Sequence, residues 1–265
     1  MPARWTKQEE KKFHKELLEL YVRKNKSIRE VGAKLGIAEQ TVYARLVRTG
    51  IKTQRSKKSG FNKQRSDIHL PHNSVELAEF IGIMLGDGHI SHFQTVVTLG
   101  SKEERYVVYV ASLMRKLFGV SPKLLLRKDG YREVYIGSVL ITTWLKKQGL
   151  VSHKVKSQVR VPRWIFKREK YMASCLRGFF DTDGSIYKLR FGFQISLTNK
   201  SLLLLLDLRN MLKMLGYKPS EVSTFRVYLT HREDISRFFK EIAPANSKHR
   251  DRFKMFASVA EQQTH

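Results

Sequence analysis

Two stretches of this chain repeat each other at an offset of 96 residues, and that duplication limits the possible folds more than any other feature. The first reads Leu77-Ala-Glu-Phe-Ile-Gly-Ile-Met-Leu-Gly-Asp-Gly88, the second Ser174-Cys-Leu-Arg-Gly-Phe-Phe-Asp-Thr-Asp-Gly184. Gly82 and Gly178 are 96 residues apart, as are Asp87 and Asp183. The register continues downstream. Gly119-Val-Ser-Pro122 is echoed by Gly216-Tyr-Lys-Pro219 at 97, and Trp144 by Phe238 at 94.

Each copy predicts the same order of elements. An apolar helix ends at Asp-Gly, and extended segments follow, Thr95 to Leu99 in one half and Arg190 to Leu197 in the other. Phe-Gly-Phe-Gln-Ile-Ser-Leu alternates with the period of two expected of a half-buried strand. Helices over 103–118 and 200–215 come next. Strands at Lys123–Arg127 and Arg132–Ile136 flank Lys128-Asp-Gly130, a hairpin turn. Closing helices span 139–148 and 232–242. The pattern is αββαββα twice, an α+β class. Repeat one covers 74–170 and repeat two 171–265.

The Asp-Gly helices point to chemistry. Gly82, Gly86, Gly178 and Thr182 recur at four-residue spacing, which lets two backbones approach closely. Two such helices ending together would bring Asp87 and Asp183 side by side. Paired carboxylates repel unless a divalent cation lies between them, and hard oxygen donors favour Mg²⁺. Two acids so placed suit metal-assisted phosphodiester cleavage.

Charge names the partner. Fifty Lys and Arg against 24 Asp and Glu give +26, which a nucleic acid would neutralise and which fits a membrane surface less well. No apolar run approaches a membrane span, and the first ten residues lack a signal-peptide core, so a cytoplasmic, nucleoid-associated protein is expected rather than a secreted one. Cys175 is the single cysteine, which excludes an internal disulfide framework. It reads as a small core residue, as Met211 and Met214 read as core. The nine histidines show no metal-ligand spacing; His89 reads as a loop residue or a phosphate contact.

The N-terminal region, 1–51, predicts three helices. Trp5 to Asn25 carries Phe13, Leu17, Leu18 and Tyr21 on one stripe. Ser27-Ile-Arg-Glu30 is a capping box, and Gly36 ends the second helix. The third should turn Val42, Leu46 and Val47 inward and Gln40, Thr41, Tyr43, Arg45 and Arg48 outward, ending at Gly50. Helix, glycine-containing turn and helix make a helix-turn-helix pattern, which resembles that of bacterial and archaeal regulators. The resemblance implies a major-groove helix, with Gln40, Thr41, Arg45 and Arg48 as DNA contacts; a protein-docking module has the same pattern. The segment 52–73 is a basic linker in which Lys57 and Lys58 either follow DNA phosphates or solvate a tether.

The two motifs, their spacing and the intervening order resemble the LAGLIDADG homing endonucleases of the monomeric, two-repeat class, over about residues 75–255. The resemblance implies two pseudo-symmetric repeats whose two four-stranded sheets form a saddle over DNA. It also implies Mg²⁺, two or three ions with Mn²⁺ able to substitute, on Asp87 and Asp183 and on the carbonyls of Gly86 and Thr182. Asp181 has no acidic counterpart in half one, where Leu85 stands, and is expected to support the helix end rather than bind metal. The family keeps a basic residue late in each repeat. Pro244-Ala-Asn-Ser-Lys-His-Arg matches that element at Lys248, and Lys154 keeps the spacing of 94 to it, whereas Lys156 would pair with Arg250. A plain phosphate contact is an equal reading for each lysine. Asn199 and Ser101 stand where a water-orienting group is expected, Asn199 the better match. Outward strand positions for DNA contact are Gln94, Lys123, Arg127, Arg132, Lys188, Arg190, Gln194 and Arg226.

The activity so implied is site-specific double-strand cleavage of DNA at a long asymmetric target, by a monomer, leaving short 3′ overhangs. The alternatives are a non-cleaving regulator of transcription and an intron RNA maturase. An intein is disfavoured because the termini lack its splicing residues.

Overall fold

The computed structural model describes residues 7–51, 53, 67–190 and 192–262. The chain forms two units, within Met1–Gln64 and Arg65–His265.

In the first unit, helix α1 spans Lys7–Leu17 and passes into a π-helical turn at Leu18–Arg23. The expected single helix is therefore interrupted by a change of winding, and Asn25, at φ 51°, ends it. Trp5 lies outside the described residues. Helix α2 (Ile28–Leu35) starts in the expected capping box: Ser27 Oγ accepts from Glu30 N–H while the Glu30 carboxylate accepts from Ser27 N–H. Gly36, at φ 67°, closes it. Replacing Ser27 with Ala is expected to cost about 1 kcal/mol, read as amide exchange through α2 faster by about fivefold; unchanged exchange would show that the cap does not hold this helix. Helix α3 (Glu39–Arg48) buries Val42 and Leu46 against Leu17, Leu20, Tyr21 and Val31. Val47 does not join them: it is 55% exposed, because it sits off the stripe that Val42 and Leu46 define.

The second unit opens with α4 (Val75–Leu85), capped by Ser74 and buried from Leu77 to Leu85, as expected for a helix apolar all round. Strands β1 (Gly88–Ile90) and β2 (Gln94–Leu99), helix α5 (Glu104–Phe118), strands β3 (Lys123–Leu126) and β4 (Arg132–Gly137), and helix α6 (Val139–Lys147) complete the first repeat. Its four strands run β1-β2-β4-β3, all antiparallel.

The second repeat follows a 3₁₀ turn at Arg163–Lys167. It comprises α7 (Glu169–Asp183), β5 (Gly184–Lys188), β6 (Phe193–Thr198), α8 (Leu202–Met214), β7 (Arg226–Leu229) and α9 (Arg232–Glu241). A further helix, α10 (Ser247–Gln262), lies against β5 and is additional to the αββαββα pattern. Two corrections arise here. Strand β6 begins at Phe193 rather than Arg190, since the bond from Leu189 N–H to Gly192 O already turns the chain there. Among the described residues the second sheet has three strands, β5-β6-β7, not four. Where the fourth would lie, the chain makes a bridge from Ser223 to Arg226, a bond from Ser220 N–H to Tyr228 O and one from Tyr228 N–H to Ser220 Oγ.

The architecture is α+β. Helices α5 and α6 back the first sheet, and α8 and α9 back the second, leaving the opposite face of each sheet uncovered by these helices. No helix among the described residues is long and apolar enough to cross a membrane.

Candidate active site

The site is built on the contact between α4 and α7. A Cβ on Gly82 would overlap the carbonyl oxygen of Cys175, and one on Gly178 would overlap that of Glu79. The backbones touch where those glycines stand, as their spacing predicts. Cys175 lies buried in this seam, and burial pushes its thiol well up, which makes it core. One turn further on, the Thr182 side chain covers Gly86, its hydroxyl donating back to the Gly178 and Phe179 carbonyls.

At this end of the seam stand Asp87 and Asp183, both half-buried. Burial first, then the charges of Asp183 and Glu103, push the Asp87 carboxyl up to about 7, against the pull of Lys154 and Lys248. Burial also raises Asp183, opposed by Asn199 and Lys154. Asn199 Nδ2 donates to Asp183 Oδ2 at 3.0 Å, while its Oδ1 accepts from Ser201 N–H at 2.9 Å.

Lys154 reaches the site and Lys156 is exposed outside it. The Lys154 ammonium donates to the carbonyls of Met84 (3.3 Å), Leu85 (3.2 Å) and Gly86, the oxygens left over at the end of α4. Burial lowers its pKa, and Asp183 and Asp87 oppose that. Lys248 enters from the start of α10, 2.8 Å from Glu103 Oε1.

Glu103 is the site residue that the motifs do not point to. Its Oε1 also accepts from Asn246 Nδ2 at 2.7 Å, and its Oε2 from Gly100 N–H at 2.7 Å. Burial works to raise this carboxyl, but the bonds from Lys248 and Asn246 outweigh it and hold it below the usual range. Ser101, by contrast, is exposed.

Asp181 is fully buried and accepts from the N–H groups of Ala245 (2.8 Å) and Asn246 (3.1 Å). It fastens the loop that delivers Lys248 and has no opening to a metal. His249 packs 4.5 Å from the Phe180 ring, and burial drives its pKa down to about 3, so it stays neutral and serves as core. His89 is exposed in β1. Met211 is buried as expected, whereas Met214 is 49% exposed at the end of α8 and is not core.

The expected DNA contacts divide by the pleat of the strands. Gln94 shares the outer face with Val96 and Thr98, and Lys123 lies across from Tyr135 on that face. Gln194 and Arg226 lie on the outer face of the second sheet. Tyr187 OH donates to Gln194 Oε1 at 2.5 Å. Arg226 stands outward beside Tyr228, while Val227 between them turns into the core.

Arg132 and Lys188 do not share that outer face. Arg132 lies opposite buried Leu99 and pairs with Glu104 at the start of α5, on the helix side. Lys188 shares the parity of buried Ile186 and lies opposite Phe193. Arg127 is exposed but is held by Asp129 (3.2 Å) and Glu133 (3.1 Å), and Arg190 is exposed in the turn after β5. In the first unit Gln40 is exposed and Thr41 half-buried, while Arg45 and Arg48 both turn back to Glu10, at 2.6 and 3.2 Å. The outward stripe of α3 is therefore Gln40, Tyr43, Ala44 and Val47. Lys57 and Lys58 lie outside the described residues.

Residues 170–243 match the model of the LAGLIDADG-like domain, and residues 78–152 that of the WhiA LAGLIDADG-like domain. Over 114 residues the chain is 33% identical to the replication factor C small subunit of Methanocaldococcus jannaschii, covering 43% of this chain and 6% of that protein. Over 192 residues it is 24% identical to the DNA polymerase of Thermococcus kodakarensis, covering 66% of this chain and 10% of that one. The chain thus spans a small part of these relatives. Among solved structures it is similar to I-DmoI in complex with DNA and Mn (17% identity, TM-score 0.48, 63% of this chain and 96% of that). It is also similar to the N-terminal LAGLIDADG domain of DUF199/WhiA (20% identity, TM-score 0.45, 66% and 86%). Each of the two repeats is thus a LAGLIDADG-like domain.

Proposed function

We propose that this chain is a site-specific DNA endonuclease that cuts both strands, using divalent ions held by Asp87 and Asp183. The observation that carries the reading is the pair of acids at the joined ends of α4 and α7, flanked by Lys154 and Lys248 in a chain of charge +26.

The donor set suits Mg²⁺, with Mn²⁺ as a substitute. Among the described residues no three Asp, Glu, His or Cys side chains gather as a ready-made metal cage. Mg²⁺ does not need one, since it takes one or two carboxylates and completes its shell with water and substrate phosphate. The carbonyls on which the Lys154 ammonium rests already face a cation, and that of Gly86 is among them. With the Thr182 carbonyl it would supply the backbone ligands. A bound ion would lower the pKa of an attacking water and offset charge on the phosphate. The residues do the rest. Asn199 holds the Asp183 carboxylate in one orientation, and Lys154 and Lys248 place positive charge where phosphate charge grows. The products would carry 5′-phosphate and 3′-hydroxyl ends with short 3′ overhangs. One chain holds both halves, so it would act as a monomer, and a cytoplasmic location follows from the substrate.

The outer sheet faces would lie in the major groove, with Gln94, Lys123, Gln194 and Arg226 as contacts. In the first unit the stripe Gln40, Tyr43, Ala44 and Val47 would read a second groove. Binding should weaken steeply with salt, and Arg226→Ala should reduce the log–log slope by about 0.9 if it meets one phosphate; an unchanged slope would show that Arg226 meets no phosphate.

The test is incubation of DNA spanning the uninterrupted form of the locus that carries this gene, with Mg²⁺, with EDTA and with Asp183→Asn. A discrete double-strand cut lost in both controls is expected. Tight, salt-sensitive binding without a cut would favour a non-cleaving regulator, the reading that the WhiA-type match of residues 78–152 supports. Preference for intron RNA over DNA would instead favour a maturase.

A further inference from the structure

The offset of 96 that relates Asp87 to Asp183 also relates Glu103 to Asn199. The two occupy matching places, between the second strand and second helix of each repeat, and each accepts a backbone N–H beside it, from Gly100 and from Ser201. Their chemistry differs. Asn199 can donate, and it bonds Asp183. An ionised Glu103 can only accept, so it cannot serve Asp87 in the same way and takes Lys248 and Asn246 instead. The lysines differ accordingly: Lys248 is paired with a carboxylate, whereas Lys154, its counterpart at 94, rests on carbonyl oxygens.

We infer that Glu103 is a positioning residue that holds Lys248 and makes the two halves of the site unequal, so that the two DNA strands are cut in order. The half with Lys248 is the slower, because its ammonium is already neutralised. The strand order rests on the endonuclease reading, whereas the hold on Lys248 does not.

Two measurements test it. A duplex carrying the cut site, with a different fluorophore on each strand, gives both strand rates in one turnover. A charged hydrogen bond of this kind corresponds to a rate difference of about tenfold, and Glu103→Asn, which gives half one the group of half two, should bring the ratio toward one. Without DNA, an amine-reactive reagent read by mass spectrometry should label Lys248 several-fold faster in Glu103→Asn, with Lys154 unchanged. Glu103→Gln, which keeps the shape and loses the charge, guards against a folding defect and should act in the same direction. Equal strand rates in the unaltered protein, or both strands slowed alike by Glu103→Asn, would overturn the strand order. Unchanged Lys248 labelling would overturn the hold. No cut on either strand would remove the endonuclease reading and the strand order together, and the labelling would still decide whether Glu103 holds Lys248.

Discussion

Replacing Asp87 with Asn should abolish cleavage and, in the absence of divalent ions, make the protein more stable. Removing a metal ligand forfeits several kcal/mol of charge stabilisation, a rate loss of about a thousandfold or more. The stability gain has the opposite origin. Burial and the neighbouring acids raise the Asp87 carboxyl from 3.8 to about 7. Well below pH 4 folded and unfolded chains both hold the proton, and ionisation costs the fold nothing. As pH rises toward 7 the unfolded chain ionises more readily than the folded one, so stability falls through that window. The rise corresponds to about 4 kcal/mol above it. Asparagine removes this charge, and melting in EDTA should move up by roughly 5–10 °C at pH 7.5 and very little at pH 4. Cleavage retained by Asp87→Asn would sink the assignment, and an unchanged melting temperature would show that the acids do not strain the metal-free fold.

Gly178→Ala should have the opposite effect on stability. Its Cβ would overlap the Glu79 carbonyl oxygen, which belongs to a helix backbone and cannot swing aside as a side chain could. The helices must separate, at a cost of about 3 kcal/mol or more, and Asp87 and Asp183 separate with them. Gly137→Ala is the control, since its Cβ would meet nothing nearer than the Phe93 carbonyl at 4.0 Å. Urea denaturation of both variants checks this, and equal midpoints would mean that the seam yields easily.

The seam and its acids are legible in the sequence because both depend on local spacing: glycines four apart on a helix, and an Asp before a terminating Gly. The capping box at Ser27 is legible for the same reason. What the sequence hides depends on partners distant along the chain. Arg45 reads as outward by its charge, yet it stands three residues from buried Val42, on the side that meets α1 and its Glu10. Arg132 and Lys188 fall on the other face from the one expected, although counting by twos from buried Val134 and Ile186 corrects both. Glu103 can be found by applying the offset of 96 to Asn199. The shortfall in the second sheet has a local cause that the duplication hides: Lys218-Pro-Ser-Glu-Val-Ser223 carries a proline and a single β-branched residue where the first repeat has Lys123–Leu126.

Where Gly82 and Gly178 stand, the joint between the repeats is main chain against main chain, and side chains tie its flanks, Arg177 to Glu79 and both Asn246 and Lys248 to Glu103. Such a joint is indifferent to what the strands display on their outer faces. A repeat taken from another protein, bringing glycines to the places of Gly82 and Gly178 and partners for Glu79 and Glu103, should dock in the same register. On the endonuclease reading, the target would then be rewritten by exchanging one repeat while the seam on which the two halves meet is kept.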